Sequence, residues 1–210
     1  MPGLLITLEG VDGCGKTTQA QLLTDWLRES GCCVVLTRQP GGTPIGDQLR
    51  EVVLSPKHRI TPEAELFLYL ADRAVHVSEV ITPALSQGCL VVCERCTDST
   101  LAYQGYGRGL DLDLLRHLND MATGGVAPDL TLVLDIPPTE ARLDASRLDR
   151  LESAGGGFRA RVAEGFREIA RLEPRRVKLV NGMQSVEAVH AEVVALARHL
   201  LAQVRPKEGP

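Results

Sequence analysis

The stretch that decides the fold is LLITLEGVDGCGKT, residues 4–17. Residues 4–8 form a short apolar run of the kind found in buried strands, and residues 17–29 carry apolar side chains at helical spacing. Between them, Gly10 to Thr17 fit the pattern G-x-x-x-x-G-K-S/T. A strand before this pattern and a helix after it are the context in which it binds phosphate. The sequence therefore predicts a phosphate-binding loop at this position.

The residue types of this P-loop explain its chemistry. Glycine adopts positive φ readily, so the backbone can turn its N–H groups toward an anion, and the helix N-terminus adds partial positive charge. We expect Lys16 to reach the β- and γ-phosphates of a nucleoside triphosphate and the Thr17 hydroxyl to ligate Mg²⁺. The predicted residues of this nucleotide site are Gly10, Val11, Asp12, Gly13, Cys14, Gly15, Lys16, Thr17 and Thr18.

Short apolar runs alternate with helical patterns along the rest of the chain. The predicted strands are residues 4–8, 33–37, 90–93, 130–135 and 177–180, and the predicted helices are 17–29, 64–85, 112–121, 158–173 and 186–201. This alternation predicts an α/β fold of the P-loop NTPase type, a three-layer sandwich whose five-stranded parallel sheet carries helices on both faces. Ligands of such sheets bind at the carboxyl ends of the strands.

Two stretches fit neither a strand nor a helix. Residues 38–46 are rich in proline and glycine and are predicted as a loop, and residues 143–157 combine alternating charges with three consecutive glycines and are predicted to be mobile. We expect a single domain over residues 1–204 and a disordered tail at 205–210.

The composition excludes several classes of protein. The 210 residues have a formal net charge of −4, with 44% hydrophobic and 24% charged residues, which suits one compact domain and argues against disorder or a strongly basic nucleic-acid binder. No apolar run approaches the roughly 20 residues that cross a bilayer, and the first residues lack the features of a secretory signal. We expect a soluble cytoplasmic protein without nucleic-acid or membrane partners.

The six cysteines are Cys14, Cys32, Cys33, Cys89, Cys93 and Cys96. Cys93 and Cys96 have C-x-x-C spacing, which raises a redox or metal role, but Glu94 and Arg95 lie between them and no histidine cluster follows. We therefore expect free, mostly buried thiols, as in a reducing compartment.

The strand at residues 90–93 is followed by Glu94 and Arg95, where motor proteins and GTPases usually have Asp-Glu or Asp-x-x-Gly. An arginine beside the P-loop suggests a second phosphate, held opposite the first, because arginine binds phosphate oxygens with two parallel hydrogen bonds. Two facing phosphate sites are typical of phosphoryl transfer between nucleotides.

An ordered series of motifs from about residue 4 to 201 resembles the bacterial thymidylate kinase family. After the P-loop come TRQPGGT at 37–43, which resembles the family's T-R-E-P-G-G-T, LADRA-x-H at 70–76, ER at 94–95, STLAYQG at 99–105, R-x-x-RLE at 147–152 and F-x-x-x-V at 158–162. The resemblance implies a nucleoside monophosphate kinase domain with a lid near 143–157, transfer of phosphate from ATP to dTMP with Mg²⁺ for dTTP synthesis, and a homodimer.

The resemblance also assigns roles to single residues. It implies that Arg95 grips the acceptor phosphate, Arg73 hydrogen-bonds the thymine carbonyl, Tyr69 stacks on the base and Asp12 lies near the sugar 3′-hydroxyl. It places further substrate contacts at Arg38, Pro40, Ser99, Tyr103 and Gln104. It pairs Glu94 with Thr17 as metal ligands and makes Lys16, Arg95 and, from the lid, Arg147 the catalytic residues.

The chain departs from the family pattern at three positions. Gln39 stands where the family usually has glutamate, Glu94 where it has aspartate, and Cys96 where it has an aromatic residue or histidine. We expect the charge missing at Gln39 to affect Mg²⁺ or Arg95. Two other functions stay open at this point: a related P-loop nucleotide or nucleoside kinase with another acceptor, for which Glu94 could serve as base, and an inactive nucleotide-binding regulator.

The residues also allow simpler interpretations. Tyr69 could belong to the core, Arg73 could form a solvated surface pair with Asp72, and residues 106–109 could be a substrate loop or only a turn.

Overall fold

The computed structural model describes residues 3–141, 150–151 and 155–204. Its strands are β1 (Leu4–Glu9), β2 (Val34–Arg38), β3 (Leu90–Glu94), β4 (Leu130–Asp135) and β5 (Val177–Asn181). They form one parallel sheet in the order β2-β3-β1-β4-β5. The predicted five-stranded α/β fold is therefore confirmed, and every strand lies within one residue of its predicted bounds.

The helices connect the strands and cover the sheet. They are α1 (Lys16–Glu29), α2 (Pro44–Leu54), α3 (Pro62–His76), α4 (Thr82–Ser86), α5 (Thr97–Thr100), α6 (Leu112–Thr123), α7 (Gly156–Leu172) and α8 (Val186–Val204). A π-helical segment, Val77–Ile81, joins α3 to α4, a second, Leu101–Gly107, continues α5, and Pro138–Glu140 form a 3₁₀ turn.

Alternate side chains of the sheet enter two separate cores. In β1, Leu4, Ile6 and Leu8 belong to the large core, which includes side chains of α1, α7 and α8. Leu5 instead packs in a smaller core with Val77 and Ile81. Burial on both faces explains why the three central strands, β1, β3 and β4, read as largely apolar runs. The edge strands β2 and β5 are partly exposed.

Helix α2 begins inside the stretch that was predicted as a loop. The Thr43 hydroxyl accepts a hydrogen bond of 3.0 Å from Gly46 N, and Pro44 occupies the first turn. A threonine cap followed by proline is a helix-start signal, so this helix could have been found from the sequence. Only residues 39–43 form the loop, because Arg38 still belongs to β2.

The helical segment over residues 97–107 was also missed. Gly105 and Gly107 lower the intrinsic helix propensity, which hides the helix in the sequence. Their role is close packing: a Cβ on Gly105 would lie 2.4 Å from Leu112 Cδ2, and one on Gly107 would lie 2.6 Å from Phe158 Cε2. Helices α6 and α7 can therefore approach this segment closely.

The expectation of free thiols is wrong for two of the six cysteines. Cys33 and Cys89 directly precede β2 and β3, in which Val34 lies opposite Leu90, and the two sulfurs form a disulfide. The register of β2 against β3 brings the two cysteines together, and this register cannot be read from the sequence of either segment alone. Cys14, Cys32, Cys93 and Cys96 are free, as expected. Burial raises the pKa of the Cys93 and Cys96 thiols, which keeps them protonated and unreactive.

Much of the predicted lid, together with residues 205–210, lies outside the described residues, so the lid stays a prediction. Among the described residues, no helix combines the length and apolar character needed to cross a bilayer.

Candidate active site

The carboxyl ends of β1, β2 and β3 meet at one edge of the sheet. Arg95 N donates to Leu8 O at 3.0 Å, and Gln39 N donates to Glu94 O at 2.8 Å. These bonds continue the ladders for one residue beyond β3, at Arg95, and one beyond β2, at Gln39. The P-loop at residues 10–17, the loop at 39–43 and the Glu94-Arg95 pair are therefore neighbours in space.

The P-loop has the conformation that its glycines predict. Gly13 and Gly15 have φ of 74° and 98°, which side-chain-bearing residues rarely adopt, and Gly15 leads directly into α1. The buried Lys16 ammonium donates to Gly10 O at 3.2 Å and to Val11 O at 2.8 Å. Its charge is thereby held against the loop that is expected to bind the phosphates.

The two predicted metal ligands lie together. The Thr17 hydroxyl donates a hydrogen bond of 2.7 Å to Glu94 Oε2. Mg²⁺ usually takes one or two protein oxygens and completes its shell with water and substrate phosphates, so this pair fits a Mg²⁺ bound together with a nucleotide. No group of three or more His, Cys, Asp or Glu side chains could hold a metal ion among the described residues.

A cleft opens beside the P-loop and contains most of the predicted substrate residues. Those that line it are Asp12, Pro40, Tyr69, Arg73, Arg95, Ser99, Tyr103 and Gln104. Arg38 is not among them: its exposed side chain contacts Asp47 at 3.5 Å. Four further residues, for which no contact role was predicted, also line the cleft: Arg50, Leu54, Thr100 and Leu151.

Arg95 forms the end of the cleft nearest the P-loop. It is the one non-glycine residue with positive φ, 64°, in the described chain, and its Nη1 donates to Gly10 O at 3.2 Å and to Ser99 Oγ at 3.3 Å. Its Nη2 forms a salt bridge with Asp12, which also accepts a 2.9 Å hydrogen bond from the Tyr103 hydroxyl. Burial opposes ionisation of Asp12, but Arg95 and Lys16 outweigh it and lower the pKa of the carboxyl.

Glu9 supports this arrangement and was missed by the sequence analysis. The fully buried carboxylate accepts hydrogen bonds from Cys96 N at 2.7 Å, from Ser99 N at 3.3 Å and from the Ser99 hydroxyl at 2.6 Å. Burial, and then the nearby Asp98, raise the pKa of Glu9 to about 7. An acidic residue at the end of an apolar strand was the signal that could have identified it.

Arg73 is buried, with 2% of its surface exposed, so the interpretation as a solvated surface pair is wrong. Its Nε donates to Gln39 Oε1 at 2.9 Å, while Nη1 donates to Thr100 at 2.7 Å and to Asn119 at 2.6 Å. Gln39 therefore acts on Arg73, and the expectation that it bears on Mg²⁺ or Arg95 is not supported by its contacts. Its Nε2 also contacts His76 Nδ1 at 2.9 Å, which places His76 one step further from the cleft.

A second cavity lies on the other side of the P-loop, where the sequence analysis predicted no site apart from the loop itself. Gly13 and Thr18 line it together with Ile136, which follows β4, and Gly182 and Gln184, which follow β5. Arg147, the predicted lid arginine, lies outside the described residues.

Known proteins are similar to this chain in sequence and in fold. The sequence profile of the thymidylate kinase family matches residues 8–193. A thymidylate kinase from Synechococcus sp. is 52% identical over 90% of this chain and 92% of its own, and one from Exiguobacterium sp. is 46% identical over 92% and 93%. The crystal structure of thymidylate kinase from Ehrlichia chaffeensis superposes with a TM-score of 0.79 at 35% identity, covering 94% of this chain and 99% of that one. The chain belongs to the thymidylate kinase family.

Proposed function

We propose that the protein transfers the γ-phosphoryl group of ATP to dTMP, which yields dTDP for dTTP synthesis. Membership of the thymidylate kinase family supports this reaction over the two alternatives, another acceptor or an inactive regulator. The observation that carries the proposal is a pair of neighbouring cations: Lys16 and Arg95 both donate to Gly10 O, each at 3.2 Å. One belongs to the P-loop and the other to the cleft.

The reaction needs little acid–base chemistry from the protein. A phosphate oxygen of the acceptor monophosphate is already anionic and can attack the γ-phosphorus directly. The protein must align two like-charged groups, exclude water and neutralise the charge that spreads over the transferred group. Lys16 and the P-loop amides would hold the donor phosphates, and Arg95 would hold the acceptor phosphate.

Mg²⁺ is part of this proposal. The metal would be held by Thr17 and Glu94 together with ATP oxygens, and it would supply a positive charge shared between the donor phosphates. Glu94 lies at the end of β3, directly before Arg95, so the metal and the acceptor-binding arginine would be placed by the same strand end.

The two cavities suit the two nucleosides. In the cleft, Tyr69 would stack on the thymine, Arg73 and Gln104 would contact its polar edge, and Asp12 would lie near the sugar hydroxyl. The second cavity adjoins Thr18 at the start of α1 and is lined by Met183 and Val186, which suits the base of ATP. The two nucleotides would thus approach from opposite sides, with their phosphates meeting at the P-loop.

The homodimer is also a proposal, supported by unpartnered apolar surface. On α3, Ala64, Phe67, Ala71 and Ala74 lie at helical spacing and are exposed, Phe67 with 61% of its surface. On α6, Met121 is 67% exposed. A second copy of the chain would cover these side chains. The cytoplasmic location and the absence of nucleic-acid partners stay predictions from the sequence.

One coupled assay tests the reaction. ATP and Mg²⁺ are supplied with dTMP, dUMP, dCMP, dGMP or unphosphorylated thymidine, and ADP formation is followed. We expect the highest kcat/KM with dTMP. A preference for thymidine would favour the nucleoside kinase, and ATP binding without turnover on any acceptor would favour the regulator.

A further inference from the structure

Glu65 is a fully buried carboxylate in α3 that lies behind the cleft. Its Oε1 accepts a hydrogen bond of 2.7 Å from Gln104 Nε2. Its Oε2 contacts Arg108 Nη2 at 3.0 Å and Arg150 Nη1 at 2.6 Å. Buried charges are costly unless they are paired and hydrogen-bonded, so this carboxylate is held in one orientation by its three partners. The proposed reaction does not use it directly.

The bond to Glu65 determines which end of the Gln104 amide faces the ligand. An ionised carboxylate only accepts hydrogen bonds, so Gln104 must direct its NH₂ group toward Glu65. The amide is planar, and its oxygen therefore points away from Glu65. Gln104 lines the cleft, and within the described part of the chain this oxygen has no hydrogen-bond partner. It is left as an acceptor for a ligand.

Arg73 supplies a hydrogen-bond donor to the same cleft in which Gln104 supplies an acceptor. A guanidinium only donates, and four of its five N–H groups are used by Gln39, Thr100, Asn119 and the Cys96 carbonyl. Thr100, which accepts from Arg73, lies one helical turn before Gln104. Arg73 and Gln104 both line the cleft, so one side chain there keeps an N–H donor and another keeps a carbonyl acceptor without a partner among the described residues.

We propose that Glu65 is the positioning residue that sets the polarity of the base site and so restricts it to keto pyrimidines. This inference rests on the proposed function, in which a pyrimidine monophosphate occupies the cleft. Thymine and uracil carry a carbonyl oxygen at position 4 next to an N3–H donor, which matches the donor of Arg73 and the acceptor of Gln104. Cytosine carries an amino group at position 4 and a bare N3, so both polarities are reversed.

The Glu65→Gln substitution should reverse the orientation of the Gln104 amide, so that a donor instead of an acceptor faces the cleft. Oε2 has the two closer arginine contacts, at 3.0 Å from Arg108 Nη2 and 2.6 Å from Arg150 Nη1, whereas Oε1 has only a 3.4 Å contact with Arg108 Nε. The new amide oxygen should therefore stay at the place of Oε2, and the new NH₂ should replace Oε1. Gln104 would then have to turn its oxygen toward residue 65 and its NH₂ toward the cleft. In the variant, the Gln104 NH₂ would face the N3–H of thymine, so a hydrogen bond is lost and two donors meet. We therefore expect kcat/KM for dTMP to fall about 10- to 100-fold, while kcat/KM for dCMP does not fall.

The test measures the ratio of kcat/KM for dTMP to that for dCMP in five proteins: the wild type, Glu65→Gln, Gln104→Leu, the double variant and Arg108→Gln. The ratio should drop in Glu65→Gln and Gln104→Leu, and the double variant should equal Gln104→Leu, because Glu65 acts through Gln104. Arg108→Gln, the matched control, removes an ion pair of Glu65 but keeps its bond to Gln104, and the ratio should hold. Thermal unfolding checks that each variant is folded.

An unchanged ratio in folded Glu65→Gln, or an equal drop in Arg108→Gln, would overturn the inference. If Glu65→Gln does not fold, Gln104→Leu decides, because an unchanged ratio there removes the acceptor from base selection. A wild-type protein that phosphorylates no monophosphate would instead reject the proposed function itself.

Discussion

The Thr17 hydroxyl at the start of α1 donates a 2.7 Å hydrogen bond to Glu94 Oε2 at the end of β3. The bond joins two residues that are 77 positions apart and that the sequence predicts as ligands of one metal ion. Glu94→Gln should raise the Mg²⁺ concentration for half-maximal activity about tenfold or more, since a neutral amide is a poorer ligand for Mg²⁺. The initial rate is measured against Mg²⁺ at fixed ATP. Glu94→Asp keeps the charge and serves as control; coincident curves for wild type and Glu94→Gln would exclude the metal role.

Arg95 should be needed for both binding and turnover of the acceptor. Arg95→Ala removes the guanidinium from the end of the cleft, and we expect a higher KM for dTMP, a lower kcat and a loss of about 100-fold or more in kcat/KM. Arg116→Ala is the control, because that arginine is exposed on α6 and pairs only with Asp113 in the described structure. Steady-state kinetics with varied dTMP decide, and a variant as active as the control would refute the phosphate role.

Arg147 should act on the transferred group rather than on acceptor binding. The resemblance places this residue in the lid, and mobile arginines that contact a transferred phosphoryl group contribute roughly 10³-fold or more. Arg147→Ala should therefore lower kcat by about that factor and leave the Kd for dTMP nearly constant. Calorimetry gives the Kd and a coupled assay gives kcat. Wild-type turnover in the variant would remove Arg147 from the mechanism.

Glu9 should make the folded protein less stable as the pH rises. Its pKa is about 7 in the folded chain against an ordinary 4.5, so between these values the folded protein keeps a proton that the unfolded chain has lost. The contribution of Glu9 to the unfolding free energy is therefore fully present below pH 4.5. It is lost as the pH rises to 7, by about 3 kcal/mol in total.

Glu9→Gln cannot titrate, so its unfolding free energy relative to wild type should rise over this pH window. Urea denaturation at pH 4.5, 6 and 7.5 measures the difference. Asp72, whose pKa burial raises to about 6, and His76, whose pKa burial lowers to about 4, titrate in both proteins and largely cancel in the comparison. A constant difference across the three pH values would show that Glu9 ionises as freely as in the unfolded chain.

Replacing Gln39 by glutamate should raise the pKa of His76. Burial and then Arg73 lower the pKa of His76 to about 4, and its Nδ1 lies 2.9 Å from Gln39 Nε2. Gln39→Glu restores the residue that the family usually has and places a carboxylate against the ring, which should raise the pKa of His76 toward its ordinary value. NMR titration of the ring measures this. Thr37→Val, the control, removes the other partner of the ring without adding charge, and an equal pKa in both variants would contradict the prediction.

The parts of this molecule that could be predicted share one property: their signal lies in residues adjacent in sequence. The P-loop needs only the strand, the glycines and the helix that surround it. Strand β4 was predicted with its bounds unchanged because four of its six residues are leucine or valine. Helix α2 carried a local start signal that went unused. Residues 97–107 gave a misleading signal, because their glycines serve contacts with α6 and α7 that the sequence does not show.

The supporting residues of the site could not be predicted in this way. Glu9 acts on Ser99 from 90 positions away, Glu65 acts on Gln104 from 39, and Gln39 acts on Arg73 from 34. The Cys33–Cys89 disulfide has the same origin, since the pairing of β2 with β3 sets its partners. A segment can show that such a residue is unusual there, as with Glu9 at a strand end or Gln39 in the family motif, but it does not show which distant residue the side chain contacts.

Local order along the chain was thus enough to specify the fold, the phosphate loop and the family, because strand and helix periodicity and the glycine spacing act over a few neighbouring residues. The partners of the buried carboxylates, by contrast, are set only by the tertiary structure. A hydrogen bond depends on separations of about 3 Å in space, and the parallel sheet produces those separations by joining the ends of strands that are far apart in the chain.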